Sequence, residues 1–162
     1  MSGTITGETV FTVEPNQQQV TMSRTFAAPP ELVWRATTEP EHVTAWWGPR
    51  ALTTQIDVAD VRTGGQWRYI QRDTDGNEFA FHGVYHDVVA PERVVQTFEY
   101  EGVPGHVLLE TTTFEPVDGG TRVTSTSVFQ SIADRDGMVA SGMEYGAREG
   151  YDRLAELLDT MS

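Results

Sequence analysis

Between Gln18 and Gln130 apolar side chains keep returning at every second position. Val20, Met22 and Phe26 alternate with Thr21, Ser23 and Thr25, so Gln18–Ala27 reads as a strand with one buried face. Arg24 falls on the apolar parity; its stem can pack while its head reaches the sheet edge. The same period predicts strands over Thr53–Val61, Gln66–Arg72, Glu78–Val88, Arg93–Glu101, His106–Glu115 and Thr121–Gln130. Thr63-Gly64-Gly65, Asp73-Thr74-Asp75-Gly76-Asn77, Ala90-Pro91-Glu92, Gly102–Gly105 and Asp118-Gly119-Gly120 are turn signals between them. Links this short make an antiparallel meander. Thr9–Val13 alternates weakly and reads as an edge strand.

The period changes twice. After the first long strand, Pro29 or Pro30 opens a short helix, Glu31–Thr37. Pro40 opens another, Glu41–Trp46, which Trp46-Trp47-Gly48-Pro49 stops. At the C-terminus, Val139, Met143, Ala147, Tyr151, Leu154 and Leu158 recur at helical spacing. This predicts one long helix from Met138 to Asp159, with a lead-in turn at Ile132–Arg135. Glu149 precedes Arg153 in the order that favours a helix-surface ion pair. Gly142, Gly146 and Gly150 share one stripe of that helix. Each glycine costs a helix roughly 1 kcal/mol relative to alanine, so the stripe serves either close packing against another element or open space beside it.

Strand, two short helices, meander, long helix is an α+β order. The expected fold is a helix-grip: a curved antiparallel sheet wrapped around a long C-terminal helix, with the two short helices closing one end. Residues 1–17 form an N-terminal segment and residues 18–160 a single domain.

Composition narrows the function. The 162 residues include no cysteine and no run of 18 apolar residues, so neither disulfides nor a membrane span are expected. Met1–Thr12 lacks a charged start and an apolar signal core, and a cytoplasmic location is expected. Acidic residues number 24 against 11 basic ones, for a net charge of −13. All the basic residues are arginine, which excludes a lysine Schiff base and a Walker-type phosphate loop. The charge argues against nucleic acid and anionic membranes as partners. It also favours a monomer or a weak homodimer through self-repulsion.

Phe26-Ala27-Ala28-Pro29-Pro30-Glu31-Leu32-Val33-Trp34 and Trp46-Trp47-Gly48-Pro49 resemble the opening of the activator-of-heat-shock-protein-90-ATPase homologue family. That family belongs to the START-like, helix-grip superfamily also called SRPBCC. Asp60-Val61-Arg62-Thr63-Gly64-Gly65-Gln66-Trp67-Arg68, Gly83-Val84-Tyr85, Pro91-Glu92-Arg93-Val94-Val95, Gly120-Thr121 and Ser141-Gly142-Met143-Glu144-Tyr145-Gly146 continue the likeness in order. It spans roughly Val20 to Leu158. The resemblance implies a deep, mostly apolar cavity between sheet and C-terminal helix, and it supplies no catalytic residue. The fold hosts carriers, receptors, cyclases and co-chaperone domains, so it does not decide among functions.

The inward parity carries Trp67, Tyr69, Phe79, Phe81, Tyr85, Phe98, Leu108, Phe114 and Phe129. These residues either fill an ordinary core or line a ligand cavity. Gln96, Glu110, Thr112, Ser125 and Ser127 share that parity, more polar groups than a dry core holds without partners. With Met143 and Gly146 from the helix, these are the candidate ligand-contacting residues. Glu110 is the one catalytic candidate: burial would raise its pKa and suit it to proton transfer. Otherwise it pairs with Arg24 or Arg68, or faces water at the cavity mouth.

Other chemistry is set aside by geometry. His82 and His86 sit about 13 Å apart if both lie on one strand, too far to share a metal, and their parity is outward. His42 and His106 belong to other elements, so neither a metal nor a cofactor is expected. Asp73, Asp75 and Asn77 begin like a calcium loop, but Gly76 comes too early and Val84 stands where a bidentate Glu belongs. Trp46 and Trp47 either pack on the sheet end or cap the cavity. The expected function is the binding of a small hydrophobic or aromatic molecule, as a carrier or sensor. The alternatives are a polyketide cyclase or dehydratase-like enzyme in the same cavity, and a co-chaperone-type interaction domain.

Overall fold

A computed structural model describes residues 8–161. Residues 1–7 of the expected N-terminal segment lie outside the described residues. Eight strands form one antiparallel sheet: β1 (Val10–Thr12), β2 (Gln19–Phe26), β3 (Thr53–Ala59), β4 (Gln66–Arg72), β5 (Glu78–Val89), β6 (Arg93–Tyr100), β7 (Val107–Val117) and β8 (Gly120–Val128). Their spatial order is β1-β2-β8-β7-β6-β5-β4-β3. β3 to β8 is the meander that the short turns dictate. β2 closes onto β8, while β3 lies at the opposite edge, so the chain must cross the sheet once. Helices α1 (Pro30–Thr38) and α2 (Pro40–Trp46) make that crossing.

Each short helix starts on a proline whose fixed φ suits the first helical position. Val33 and Ala36 of α1 and Val43 of α2 are buried. Trp46 Nε1 donates to Ala36 O at 2.8 Å and locks the two helices together. α4 (Met143–Met161) lies over the concave face. It buries Tyr151, Leu154 and Leu158 against Phe26, Val33 and Phe114 in the main core. A smaller cluster, Val20, Leu108 and Phe129, is covered by Met138, Val139 and Met143.

The C-terminal helix differs from expectation in one respect. It is two helices, α3 (Ile132–Ala140) and α4, broken at Ser141–Gly142. Ser131 caps α3 by accepting from Asp134 N at 3.0 Å. At its other end Gly142 turns left-handed, with φ of 96°. That is the usual glycine stop of a helix. Helical spacing runs through the break because Val139 and Met143 both face inward, so periodicity alone hides it. Gly142 is therefore not one of a helical stripe; Gly146 and Gly150 are.

Arg24 reaches the sheet edge and also α4: Nη1 donates to Thr9 Oγ1 beside β1 at 3.3 Å and to Asp152 Oδ1 at 2.6 Å. One surface expectation changes: Arg153 does not pair with Glu149. Its Nη1 donates to Gly48 O at 3.0 Å and Pro49 O at 3.2 Å. Glu149 instead accepts Arg50 N at 3.0 Å. Both α4 residues are drawn to the segment after α2, whose carbonyls and amide have no ladder partners.

A Cβ at Gly142 would meet nothing within 4 Å, so only its backbone angle is strained by a side chain. Gly142→Ala is expected to cost about 1–2 kcal/mol. Denaturant unfolding checks this; an unchanged midpoint would mean the break is not a fixed left-handed turn.

Candidate functional site

β4 to β8 present one wall of a cavity and α4 the other. Its volume is about 430 Å³. Trp67, Tyr69, Phe81 and Phe98 form an aromatic floor. Their rings pack obliquely, with centroids 4.8 Å apart for Trp67–Tyr69 and 5.4 Å for Phe81–Phe98. Trp47 stands over them, 5.0 Å from Tyr69 and 5.3 Å from Phe81, both edge to face. Each such pair adds about 0.5–1.5 kcal/mol beyond area burial, so this end of the cavity is rigid. Trp46, Gly48 and Pro49 complete it. Met138, Ser141, Gly142 and Met143 line the other end. Ser141 and Gly142 are also exposed to solvent, which places the mouth at the α3–α4 break.

The polar groups are ordered by strand register. Tyr85 pairs with Gln96, Gln96 with Glu110, and Glu110 with Ser127, making one row across β5, β6, β7 and β8. Thr112 and Ser125 pair with each other in a neighbouring row, between Val94 and Met22. Phe98 and Leu108 pair on the opposite side. The polar row thus lies between the apolar Phe98–Leu108 pair and a mixed row, Val94, Thr112, Ser125 and Met22.

Glu110 lies at the centre of that row. Its partners expected from sequence are absent. Arg68 is taken by Glu101 and Asp57 on the outer face, and Arg24 by Asp152. Ser127 Oγ donates to Glu110 Oε2 at 3.4 Å, a long contact. The accessible surface that Glu110 retains is cavity surface, since it lines the wall. Burial pushes its carboxyl above the ordinary value of 4.5, and the Ser127 hydroxyl only partly offsets this. Tyr69 and Tyr85 are raised too, by burial first; the Tyr69 hydroxyl bonds to that of Tyr85, and the charge of Glu110 adds to both shifts. Tyr151 of α4 is raised by burial and by Glu110.

Trp67, Tyr69, Phe81, Tyr85, Gln96, Phe98, Leu108, Glu110, Thr112, Ser125, Met143 and Gly146 stand on the wall. Phe79, Ser127 and Phe129 do not. Phe79 shares the face but sits opposite Gln71, beside the 73–77 turn. Ser127 is buried behind Glu110. Phe129 follows β8 and is buried in the small cluster under α3. Phe114 packs edge to face on Trp34 at 5.3 Å and reaches the cavity from its rim. Met22, Thr37, Thr38, Gln71 and Tyr151 also line it without having been singled out. Gln71 lies on the strand parity of Trp67 and Tyr69, the one signal that marks it. Thr37 and Thr38 carry no such signal, because they enter from the crossing helix.

Among the described residues, Glu39, Glu41 and His42 bring possible ligand atoms within 4.8 Å of one another. They lie at the α1–α2 corner, outside the cavity. His82 is turned outward, to Glu99 and Glu101, and there Arg68 and then His82 hold the Glu101 carboxyl down to about 2. No helix of the described residues is long and apolar enough to cross a membrane.

The family described as "Activator of Hsp90 ATPase homolog 1-like protein" matches residues 27–159. The chain belongs to this family. Solved structures share the fold of this chain. A protein from Rhodobacter sphaeroides is 26% identical, covering 95% of this chain and 99% of its own, with a TM-score of 0.87. One from Arthrobacter aurescens is 23% identical over 93% of this chain and 91% of its own, with a TM-score of 0.86. One from Mycobacterium smegmatis is 23% identical over 94% and 97%, with a TM-score of 0.85. The likeness to the last two speaks for the fold alone. No curated protein matches the chain.

Two outcomes are expected. Between 4.5 and its raised folded value, Glu110 holds a proton in the folded state that the unfolded chain has lost. The stability of the protonated carboxyl is complete below 4.5 and falls as pH rises through that window. Glu110→Gln should therefore be more stable than wild type at neutral pH, with the difference vanishing in acid; parallel pH–stability curves would contradict burial of the charge. At Gly146 a Cβ would meet only Pro49 Cδ, at 3.7 Å. Gly146→Ala should stabilise by up to about 1 kcal/mol, and destabilisation in denaturant melts would mean the helix is pressed onto its neighbours.

Proposed function

We propose that the cavity binds a small hydrophobic or aromatic molecule, and that the protein acts as its carrier or sensor. The observation that carries this reading is the cavity itself: about 430 Å³, floored by Trp67, Tyr69, Phe81 and Phe98, with one central polar row. That size and mixture suit a small-molecule site. The family's fold, which commonly encloses such ligands, adds support. A cyclase or dehydratase-like activity would draw on Glu110 as acid or base with the Tyr69 and Tyr85 hydroxyls nearby. Among the described residues the wall holds no second carboxylate and no histidine to work with Glu110 as an acid and base pair, so binding is the better reading. A chaperone partner is suggested by the family description alone.

N-phenyl-1-naphthylamine is a neutral fluorescent probe suited to this space. It should bind wild-type protein and quench the tryptophans of the cavity. Gly146→Leu, which sends a side chain into the void, should weaken that binding about tenfold or more while leaving the fold intact by circular dichroism. Probe affinity unchanged by Gly146→Leu would place the apolar site elsewhere.

A further inference from the structure

Charge is distributed unevenly between the inside and the outside of this molecule. Among the described residues, Glu110 is the one acid on the cavity wall, and no arginine or histidine stands there. The chain has no lysine to reach in. Its arginines are engaged elsewhere. Arg24 holds Asp152, and Arg68 holds Glu101 and Asp57. Arg153 is spent on the carbonyls of Gly48 and Pro49. Among the described residues, Glu110 keeps the long contact from Ser127 and no cation.

An acid placed this way costs the folded protein stability, and a glutamine or leucine in the row would remove that cost. Its carboxyl faces the void instead of a protein cation. Its charge acts on the Tyr69 and Tyr85 hydroxyls, and the same cavity is lined by the rings of Trp67, Phe81 and Phe98, groups that attract cations. A ligand anion would meet Glu110 with no positive group to receive it. A ligand cation would satisfy the carboxylate and the rings together. The net charge of −13 also draws cations toward the mouth and repels anions.

We propose that the cavity selects a hydrophobic or aromatic molecule bearing a protonated nitrogen, with Glu110 as its counter-ion. This rests on the ligand-binding reading above and names the chemical class of the ligand. The apolar part lies on the aromatic floor, and the nitrogen reaches the central polar row. There it donates to Glu110, with Gln96, Thr112 and Ser125 within the same region for a second donor. Ligand binding would supply the charge partner that the fold omits.

Isothermal titration calorimetry at neutral pH with three naphthalenes tests this. They are 2-(1-naphthyl)ethylamine, its neutral counterpart 1-ethylnaphthalene, and the anion 1-naphthylacetate. The amine should bind wild type about tenfold or more tighter than 1-ethylnaphthalene, the scale of a buried charge-assisted hydrogen bond. Glu110→Gln should abolish that preference, and a circular dichroism spectrum like that of wild type shows that the variant is folded. Glu110→Asp, which keeps the charge, should retain part of the preference. The anion should bind wild type most weakly and improve in Glu110→Gln. Equal binding of amine and hydrocarbon to wild type, or an amine preference that survives Glu110→Gln, overturns the proposal and leaves the cavity reading standing. If none of the three binds, both fall.

Discussion

Helix α4 must touch the segment after α2 and yet stand away from the sheet; the rest of the molecule follows from that constraint. Contact is made where α4 has no side chain. A Cβ at Gly150 would lie 3.4 Å from Trp46 O and 3.5 Å from Gly48 N, so the backbone of the segment rests against the helix. Arg153 seals the approach through the carbonyls of Gly48 and Pro49. Glu149 and Glu156 hold Arg50. Farther along, α4 buries Leu154 and Leu158 in the main core. The helix is thus fixed at its middle and over its C-terminal half. Between the fixed segment and the mouth it offers Gly146 and Ala147, too small to reach the floor, and the gap remains open.

The same contact sets the shape of the gap. Holding Trp46–Pro49 in place aims Trp47 at Tyr69 and Phe81. Gln71 steadies it by donating to Trp47 O at 3.3 Å. One end is therefore walled by interlocked rings with few alternative rotamers. The other end has Met138 and Met143, flexible side chains that adapt to irregular shapes. They flank the Ser141–Gly142 break. A ligand would find a fixed floor and an adaptable mouth, so its ring system is the part most closely discriminated and its tail the least.

Much of this was legible in the residue pattern. Alternation locates every strand of the meander to within a few residues, and Gln66–Arg72 without error. Parity puts Trp67, Tyr69, Phe81, Phe98 and Glu110 on the concave face, because a strand has only two faces. Parity does not say how far along the sheet each residue sits. That depends on register, which the turns set pair by pair. Phe79 and Phe129 have the right face and the wrong place for this reason. Ser127 has the right place, but Glu110 stands between it and the void. Tyr151 and the Trp46–Pro49 segment come to the site through helix docking, a long-range event with no local periodic signature. The helix break was hidden by apolar positions that stay in phase across it.

Glu110 shows why the cavity is more than a packing fault. A void left by small helix residues could have been lined wholly by apolar side chains like Phe98, Leu108, Val94 and Met22, which stand in the flanking rows. Such a lining would leave no buried polar group to satisfy and would favour folding. Instead the register places Tyr85, Gln96, Glu110 and Ser127 in one line through the middle. Gln96 and Tyr85 can hydrogen-bond while neutral. Glu110 cannot ionise there without loss, and the fold directs Arg24, a cation on the same face of the sheet, to Asp152 instead. Stability alone gives no reason for that division. A site that must recognise a polar group on an otherwise apolar molecule does, because an unpaired carboxylate inside an aromatic wall discriminates by charge where the rings can discriminate only by shape.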